Sequence, residues 1–402
     1  MSRRRAFLLY YADMNNSRRR AAFALARWLL TKDFPTTLLP ADGPDRAFVQ
    51  DLVYTVLRRL RPLRLVLSKL VAKWPKGELE ALLYVGAAQI LYMPDVPDFA
   101  AVNETVDAAK TCGNPAVARV VNGVLRNLIR RRAEFEALLA AAPAEERESF
   151  PSALYRRWVA RFGAEDAERL ARWHNAPAET FLARRDGSFT SLARGVHVTD
   201  VPGFADGDFI VQDPATRLAV DLMDVHPGET VLDACAAPGG KTAQLAWRGA
   251  TVTACEVNPK RRRRLEENLA RLRLDVEVLG ELPAERTFDK VLVDAPCSNT
   301  GVLRRKPDAR WNWNAEKLAK LVKLQAEILD AAAARVRPGG TLVYSTCSNE
   351  SEENDAQVDA FCTRHPAFAR LDARESVPFE SGTDGAYAAA LRRADDTSRT
   401  CP

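Results

Sequence analysis

Two of the seven cysteines in this sequence follow short apolar runs and lie in small polar turns. Cys297 stands in the motif Asp294-Ala-Pro-Cys-Ser-Asn-Thr-Gly, and Cys347 ends the run Thr341-Leu-Val-Tyr-Ser-Thr-Cys. A cysteine at a turn can have a lowered pKa and react as a thiolate nucleophile. Because ligands bind at the carboxyl ends of the strands in an open parallel sheet, we expect both thiols to face one crevice.

The other cysteines are expected to have no part in chemistry through their thiols. A lone cysteine is more often a small buried hydrophobe, and we expect that role for Cys112, Cys255 and Cys362. Cys401 is expected to be an idle exposed thiol. No two cysteines form a C-x-x-C motif, so the spacing predicts neither a zinc site nor a disulfide framework. We therefore expect no metal ion and a reducing, cytoplasmic location.

A third motif, Val231-Leu-Asp-Ala-Cys-Ala-Ala-Pro-Gly-Gly-Lys241, predicts a strand, a glycine turn and the start of a helix. Glycines let the backbone approach a ligand, and the N–H groups at the start of the helix face it. The G-x-G-x-x-G fingerprint and the Walker loop are absent, which argues against a dinucleotide or a P-loop. An ordinary turn fits the local pattern equally well. The next predicted strand ends in Glu256, where an acid suits a ribose diol, and this second acid favours a cofactor site.

The nonamer Asp-Ala-Cys-Ala-Ala-Pro-Gly-Gly-Lys and both cysteine motifs resemble the RNA cytosine-5 methyltransferases of the NOL1/NOP2/Sun family, which bind S-adenosylmethionine. The resemblance covers about residues 17–391. It implies that Cys347 is the nucleophile, that Cys297 serves resolution and release, and that Asp294 contacts the cytosine near N3 and the methionine end of the cofactor. The cofactor-binding residues it implies are Asp233, Cys235, Ala236, Ala237, Pro238, Gly239, Gly240, Lys241, Glu256, Glu281 and Asp294.

This chemistry explains why two thiols would help. Carbon 5 of cytosine is a poor nucleophile, but a thiolate that adds at C6 makes C5 enamine-like and able to accept the methyl group. A base must then remove the proton from C5 so that the enzyme can leave.

Three departures from the family pattern bear on these expectations. Asn299 stands where the family usually has glycine, so the loop after Cys297 is expected to be stiffer. The stretch Leu279-Gly-Glu281 lacks the usual aspartate at the adenine region, and Glu281 is its nearest substitute. The middle subdomain is shortened, because the chain passes quickly from Arg185 to Gly207.

The pattern along the chain predicts an α/β fold. The resemblance implies that this fold is a Rossmann-like S-adenosylmethionine methyltransferase domain, preceded by an all-α domain and a small linking α/β subdomain. Phrases such as Ala101-Val-Asn-Glu-Thr-Val-Asp make the helical part similar to the NusB-type RNA-binding fold. The predicted parts are the NusB-like domain at 1–140, the linker and shortened RNA-recognition subdomain at 141–212, the methyltransferase domain at 213–391 and a polar tail at 392–402. The predicted strands of the methyltransferase domain are 230–236, 251–257, 276–280, 289–296 and 341–347.

Charge is distributed unevenly along the chain. Residues 1–150 contain 23 Lys and Arg against 16 Asp and Glu, whereas the remainder contains 35 against 37. A basic half beside a neutral half suggests that one part holds a polyanion, although a solvated helical surface would give a similar excess. The candidates for phosphate contact are Arg58, Arg59, Arg61, Arg64 and Arg130 to Arg132.

The helical NusB-like domain together with the catalytic domain resembles the RsmB (Sun/Fmu) type, and this resemblance implies a cytoplasmic, monomeric RNA methyltransferase that acts on small-subunit ribosomal RNA. Two alternatives stay open: the same chemistry on transfer RNA, and a non-catalytic RNA-binding assembly factor. DNA is disfavoured as a substrate, because DNA enzymes of this chemistry resemble a one-cysteine design. We expect no membrane association, since no apolar run reaches about 18 residues and the basic start lacks an adequate apolar core for a signal peptide.

Overall fold

The structure is a computed structural model that describes residues 16–32, 39, 45–112, 114–193 and 195–395. Cys401, the first residues of the chain and most of the predicted tail lie outside the described residues. The chain divides into two compact units, each described here by itself. The first consists of Met1–Ala176 and Lys306–Asn312, and the second of Pro177–Arg305 and Trp313–Pro402.

The described part of the first unit is built of helices packed around one apolar core. Side chains that are almost fully buried, such as Trp28, Leu52 and Leu83, form this core. Local signals fix where the helices begin: the Asn114 side chain accepts from the Ala116 N–H, and Pro115 takes the first helical position. Among the described residues up to 176, the helices are α1 (Ser17–Thr31), α2 (Arg46–Arg58), α3 (Leu60–Ser68), α4 (Glu78–Tyr92), α5 (Asp98–Lys110), α6 (Pro115–Arg130), α7 (Arg132–Ala140), α8 (Ala144–Arg147), α9 (Ser152–Phe162) and α10 (Ala164–Asn175).

A segment from much later in the chain, Lys306–Asn312, belongs to this helical unit. The Arg310 guanidinium is fully buried, lies 4.0 Å from the centre of the Phe150 ring and donates to Asn175 Oδ1 at 2.8 Å. Next to it, Trp311 Nε1 donates to the carbonyl oxygen of Leu57 at 2.8 Å. Burial lowers the pKa of Arg310 well below its usual value, so its hydrogen bonds must offset a large desolvation cost. The segment is therefore an integral part of the helical core.

Three of the arginines predicted to contact phosphate lie against residues of the same unit instead. Arg58 is only 9% exposed, and burial lowers its pKa, so the prediction is wrong for this residue. Arg59 pairs with Glu148 at 3.4 Å. Arg61 pairs with Glu146 and also donates to the Ser152 hydroxyl at 3.0 Å. These side chains stabilise the packing of the helical unit, and their charges are largely compensated inside it.

The second unit contains a seven-stranded sheet in the order β6-β5-β4-β7-β8-β10-β9. The strands from β6 to β8 run parallel, and β10 pairs antiparallel with both β8 and β9. These strands are β4 (Thr230–Asp233), β5 (Thr251–Cys255), β6 (Glu277–Leu279), β7 (Phe288–Asp294), β8 (Val336–Thr346), β9 (Phe368–Ser376) and β10 (Ala386–Arg393). A separate antiparallel sheet, in the order β2-β1-β3, contains β1 (Thr180–Arg184), β2 (Phe189–Leu192) and β3 (Phe209–Val211).

Helices cover the parallel sheet, as a Rossmann-like fold requires. They are α11 (Arg217–Met223), α12 (Gly240–Trp247), α13 (Pro259–Arg271), α14 (Ala315–Ala333), α15 (Asp355–Arg364) and α16 (Pro378–Ser381). The predicted fold class is confirmed. One detail differs: the strand predicted at 341–347 begins earlier, because β8 already starts at Val336 and includes Pro338-Gly-Gly. In the described part of the chain, no helix has the length and apolar character needed to cross a membrane.

Candidate active site

The two cysteines of the predicted site lie beside each other past the carboxyl ends of the neighbouring strands β7 and β8. Their Sγ atoms are 3.2 Å apart. Backbone hydrogen bonds join the two segments, since the Ala295 N–H donates to Ser345 at 2.9 Å and the Gly301 N–H donates to Cys347 at 3.0 Å. A Cβ atom on Gly301 would lie 2.6 Å from a backbone oxygen, so only glycine allows this close approach. The structure therefore brings both thiols into one crevice.

The surroundings of Cys297 keep its thiol protonated. Its pKa is raised well above the usual value, first by the hydrogen bond with Cys347, then by burial and by the negative charges of Cys347 and Glu353. Either Sγ atom can be the donor in the contact between the two thiols. Cys347 is also the more exposed of the two. The arrangement therefore makes Cys347 the thiol that is better placed to attack.

A partly buried ion pair lies next to the thiols. Lys241, in the first turn of α12, places its Nζ 2.7 Å from Asp294 Oδ2, and Asp294 Oδ1 accepts from the Ser345 hydroxyl at 2.9 Å. Burial opposes the charged form of Lys241, but the attraction of Asp294, with smaller contributions from Cys347 and Asp233, raises the pKa of Lys241. The same attraction favours the thiolate form of Cys347.

The glycine turn lies between β4 and α12, as the sequence predicts. Gly239 has φ 104°, and a Cβ there would lie 2.9 Å from Leu265. At the end of β4, Asp233 is 1% exposed and its Oδ2 accepts from the Thr242 hydroxyl at 2.7 Å. Burial raises the pKa of Asp233 to about 6. Burial and the nearby carboxylates raise the pKa of Cys235 as well, so this third thiol is neutral and not a nucleophile. Ala236, Ala237, Pro238 and Gly240 complete the turn.

The two remaining predicted acids lie at the neighbouring strand ends. Glu256 follows β5, is 4% exposed, accepts from the Asn258 N–H at 2.9 Å and forms an ion pair with Arg261 Nε at 3.2 Å. Glu281 lies two residues after β6 with an exposed side chain. Its negative charge helps, after burial and Glu256, to raise the pKa of Cys255 to about 11. Glu281 is therefore at the rim of the site, apart from the cluster around Lys241.

Asn299 adopts a left-handed backbone conformation with φ 61°. This conformation favours glycine, and asparagine is among the few other residues that tolerate it well. The Asn299 Nδ2 donates to the carbonyl oxygen of Cys297 at 2.9 Å, and its Oδ1 lies 3.5 Å from Cys347 Sγ, accepting from that thiol. The departure from the family pattern thus adds a side chain that contacts both cysteines.

A cavity of about 50 Å³ opens beside Cys347, and its lining includes Lys241, Thr216 and Tyr387. Two more lining residues, Asp213 and Asp384, are held by Arg305: its Nη2 lies 2.7 Å from Asp213, and its Nε also pairs with Asp384. Arg305 lies eight residues after Cys297 in the chain. Its ion pairs with Asp213 and Asp384 therefore hold one wall of the cavity in place relative to that cysteine segment.

Sequence reasoning missed several residues that shape the site. Thr242 and Ser345 bind the two aspartates, and both lie within two residues of a predicted site residue, so inspection of the flanking hydroxyls could have found them. The Asp213–Arg305–Asp384 network left no local signal, because its members are far apart in the sequence. Among the described residues, no cluster of three or more His, Cys, Asp or Glu side chains could hold a metal ion.

Comparisons with known proteins agree with this geometry. The family model described as "16S rRNA methyltransferase RsmB/F" matches residues 220–392, and that of the NusB family matches residues 15–130. The ribosomal RNA small subunit methyltransferase B of Serratia proteamaculans is 37% identical, over 94% of this chain and 98% of that protein. The chain belongs to the ribosomal RNA small subunit methyltransferase B family. The enzyme of the same name from Vibrio cholerae is 35% identical, over 87% of this chain and 90% of that protein.

A solved structure supports the fold over nearly the whole chain. The crystal structure of the protein PH0851 superposes with a TM-score of 0.75 and covers 94% of this chain and 98% of its own, at 23% identity. The family models and the relatives confirm the predicted family and the NusB-like helical region. Membership of this family makes the protein a methyltransferase. The roles of the individual site residues stay predictions.

Proposed function

We propose that this protein transfers the methyl group of S-adenosylmethionine to carbon 5 of a cytosine in small-subunit ribosomal RNA, through a covalent bond between Cys347 and C6. The observation that carries the proposal is the pair of thiols 3.2 Å apart beside the Lys241–Asp294 ion pair. A methyltransferase acting on an oxygen or nitrogen needs no thiol nucleophile. Two thiols at one site suit a reaction in which one adds to a ring and the other helps it leave.

The glycine turn and its flanking acids fit the cofactor. Among the described residues, Asp233 Oδ1 is buried without a hydrogen-bond partner, which suits the α-ammonium group of the methionine part. Glu256 suits the ribose diol. Val257, which is 72% exposed directly after it, offers an apolar surface for the adenine. When bound, the cofactor would supply an electrophilic methyl group, and Asp233 and Glu256 would hold it.

The residues around Cys347 favour attack. The Lys241 ammonium stabilises negative charge on Cys347 Sγ, and the Cys297 thiol donates a hydrogen bond to it. The Cys347 thiolate adds to C6, and the electrons of the C5–C6 double bond then make C5 nucleophilic. Asp294 lies at the same strand end and is assigned the contact near N3 of the ring. The bond from C5 to the methyl group forms at the expense of the bond from that group to sulfur.

Release requires the loss of one proton from C5, and the surroundings of Cys297 explain how it can serve as the base. Once Cys347 is bonded to C6, its sulfur is a neutral thioether. The hydrogen bond and the charge of Cys347, two of the causes that raise the pKa of Cys297, are then gone. Cys297 can therefore lose its thiol proton to solvent and accept the proton of C5. The electrons of the C5–H bond restore the double bond and expel Cys347 as a thiolate.

The choice of RNA rests on the relatives. The Serratia and Vibrio enzymes carry the name ribosomal RNA small subunit methyltransferase B, and the helical unit matches the NusB family. We therefore propose small-subunit ribosomal RNA as the substrate, with transfer RNA as the alternative to be tested in parallel. A protein that meets RNA of this kind is expected in the cytoplasm.

The two cysteines provide the experiment. Purified protein is incubated with S-adenosylmethionine and labelled small-subunit ribosomal RNA or transfer RNA. Methylation at C5 is mapped, and covalent complexes are separated on a denaturing gel. Cys347→Ala should form no covalent complex and lose turnover. Cys297→Ala should attack and methylate but stall, so that RNA stays attached through Cys347. Cys362→Ala, a half-buried cysteine on α15, is the matched control and should behave as the wild type.

Opposite outcomes decide against the proposal. A covalent complex in Cys347→Ala and none in Cys297→Ala would reverse the assignment and favour the one-cysteine design. Full activity in both variants would remove thiol catalysis. Methylation of transfer RNA alone would identify transfer RNA as the substrate. RNA binding without any methylation would favour the assembly-factor alternative.

A further inference from the structure

A buried carboxylate links the two cysteine-bearing segments. Glu353 is fully buried, six residues after Cys347. Its Oε1 accepts from the Ser298 N–H at 2.9 Å and from Gln325 Nε2 at 3.0 Å. Its Oε2 accepts from the Ser298 hydroxyl at 2.5 Å and also from the Ser348 hydroxyl. Each of these donors is neutral, so four hydrogen bonds compensate the desolvation of the carboxylate.

The two serines that donate to Glu353 are next to the two cysteines in the chain. Ser298 directly follows Cys297, and Ser348 directly follows Cys347. The two hydroxyls also lie 3.1 Å from each other. Gln325, on α14, donates from the same Nε2 to the carbonyl oxygen of Pro296 at 3.0 Å, so it too joins Glu353 to the Cys297 segment. One side chain therefore holds both thiols through the residues next to them in the chain.

We propose that Glu353 is a positioning residue that fixes the separation and orientation of Cys297 and Cys347 through Ser298 and Ser348. The inference rests on the proposed two-thiol reaction and adds to it a residue that touches neither substrate nor cofactor. Each serine positions the cysteine that precedes it: Ser348 orients Cys347 for the attack, and Ser298 orients Cys297 for release. Glu353 holds both serines by accepting their hydrogen bonds. A carboxylate suits this role because its two oxygens can accept from several donors at once.

The three side chains should therefore affect different steps. Ser348→Ala should slow the formation of the covalent complex. Ser298→Ala should leave the attack nearly unchanged and slow release, so that the complex accumulates. In Glu353→Gln one oxygen becomes an amide donor, and the serine hydroxyls must turn from donors to acceptors of a neutral, weaker contact. This isosteric variant should slow both steps.

The test measures the two steps separately in a single turnover with RNA and S-adenosylmethionine. The rate of covalent-complex formation reports attack, and its decay reports release. A misplacement of catalytic groups by a fraction of an ångström to 1 Å can lower a rate by up to about a hundredfold, so we expect at least about a tenfold loss in each affected step. Cofactor affinity by calorimetry should change less than about twofold, because Glu353 is outside the cofactor-binding turn. Glu352→Gln, which removes the neighbouring charge, is the matched control and should match the wild type.

The outcomes separate this inference from the proposed function. If the wild type forms no covalent complex, the two-thiol reaction itself fails. If it does form one, and Glu353→Gln retains wild-type rates for both steps, the positioning role is overturned. It is also overturned if Ser298→Ala and Ser348→Ala slow the same step. In both serine variants, cofactor affinity and melting temperature could fall in parallel with activity. That result would identify Glu353 as a residue that only stabilises the fold.

Discussion

Lowering the pH from 7.5 to 5 should weaken the binding of S-adenosylhomocysteine to this protein, because Asp233 takes up a proton in that range. Burial raises the pKa of Asp233 to about 6 in the free protein. A bound α-ammonium group would favour the charged carboxylate and lower that pKa, so the complex holds fewer protons than the free protein. Affinity must therefore fall as the pH falls through the pKa of the free protein.

The magnitude follows from that pKa. Asp233 is almost fully ionised at pH 7.5 and only about one tenth ionised at pH 5, so the dissociation constant should rise about tenfold, or about 1.4 kcal/mol. Isothermal titration calorimetry in half-unit steps of pH measures it directly. The α-amino group of the ligand, with a pKa of about 7.7–8.0 in peptides, becomes more fully protonated as the pH falls, so its titration opposes the predicted loss of affinity, by less than about twofold, and cannot produce it.

Two controls isolate the carboxylate. Asp233→Asn should bind more weakly and show no slope with pH. Methylthioadenosine lacks the amino acid part, so its affinity for the wild type should change little with pH. A dissociation constant for the wild type that stays constant from pH 5 to 7.5 would refute the assignment, and so would an equal slope in Asp233→Asn.

Two further predictions concern stability. Asn299→Gly should retain the melting temperature, because glycine adopts φ 61° freely. Asn299→Val should lower the free energy of unfolding by about 1–2 kcal/mol, which thermal denaturation would detect. Equal stability of the two variants would contradict the role of the backbone conformation. Arg61→Ala should destabilise the helical unit by about 1–3 kcal/mol, since it loses the ion pair with Glu146 and a hydrogen bond to Ser152. The salt dependence of RNA binding should stay unchanged. A weaker dependence of RNA affinity on salt, at unchanged stability, would identify Arg61 as a phosphate contact.

The sequence was informative where a short motif coincides with the end of a strand. The parallel strands β4, β5, β7 and β8 each contain a short apolar stretch, and polar residues of the site lie at the end of each strand or directly after it. Because parallel strands end at one edge of the sheet, locating the motifs was enough to bring Asp233, Asp294 and the two cysteines together. The fold class followed from the same alternation of strands and helices.

The antiparallel strands at the other end of the sheet gave no such signal. β9 is mostly exposed and rich in charged residues, so it lacks the alternation of a half-buried strand. β10 contains Ala386-Tyr-Ala-Ala-Ala-Leu391, and alanine favours helices in isolation. Pairing on both sides and burial within the sheet override that preference. The membership of Lys306–Asn312 in the helical unit is equally invisible locally, since its partners Leu57, Phe150 and Asn175 are more than 130 residues away.

The different roles of the two thiols are implied by the family resemblance alone, and their neighbours in the structure supply a physical reason for the difference. Both cysteines precede a serine and follow a strand, so the motifs are nearly equivalent. The charges around them are opposite: the Glu353 carboxylate disfavours ionisation of Cys297, whereas the Lys241 ammonium attracts a thiolate at Cys347. Lys241 lies in α12, which precedes β7 in the chain, whereas Glu353 comes after β8. The same carboxylate that is inferred to hold both segments in place therefore also gives the pair its asymmetry, so that one thiol can attack while the other waits as an acid until the sulfur beside it is neutral.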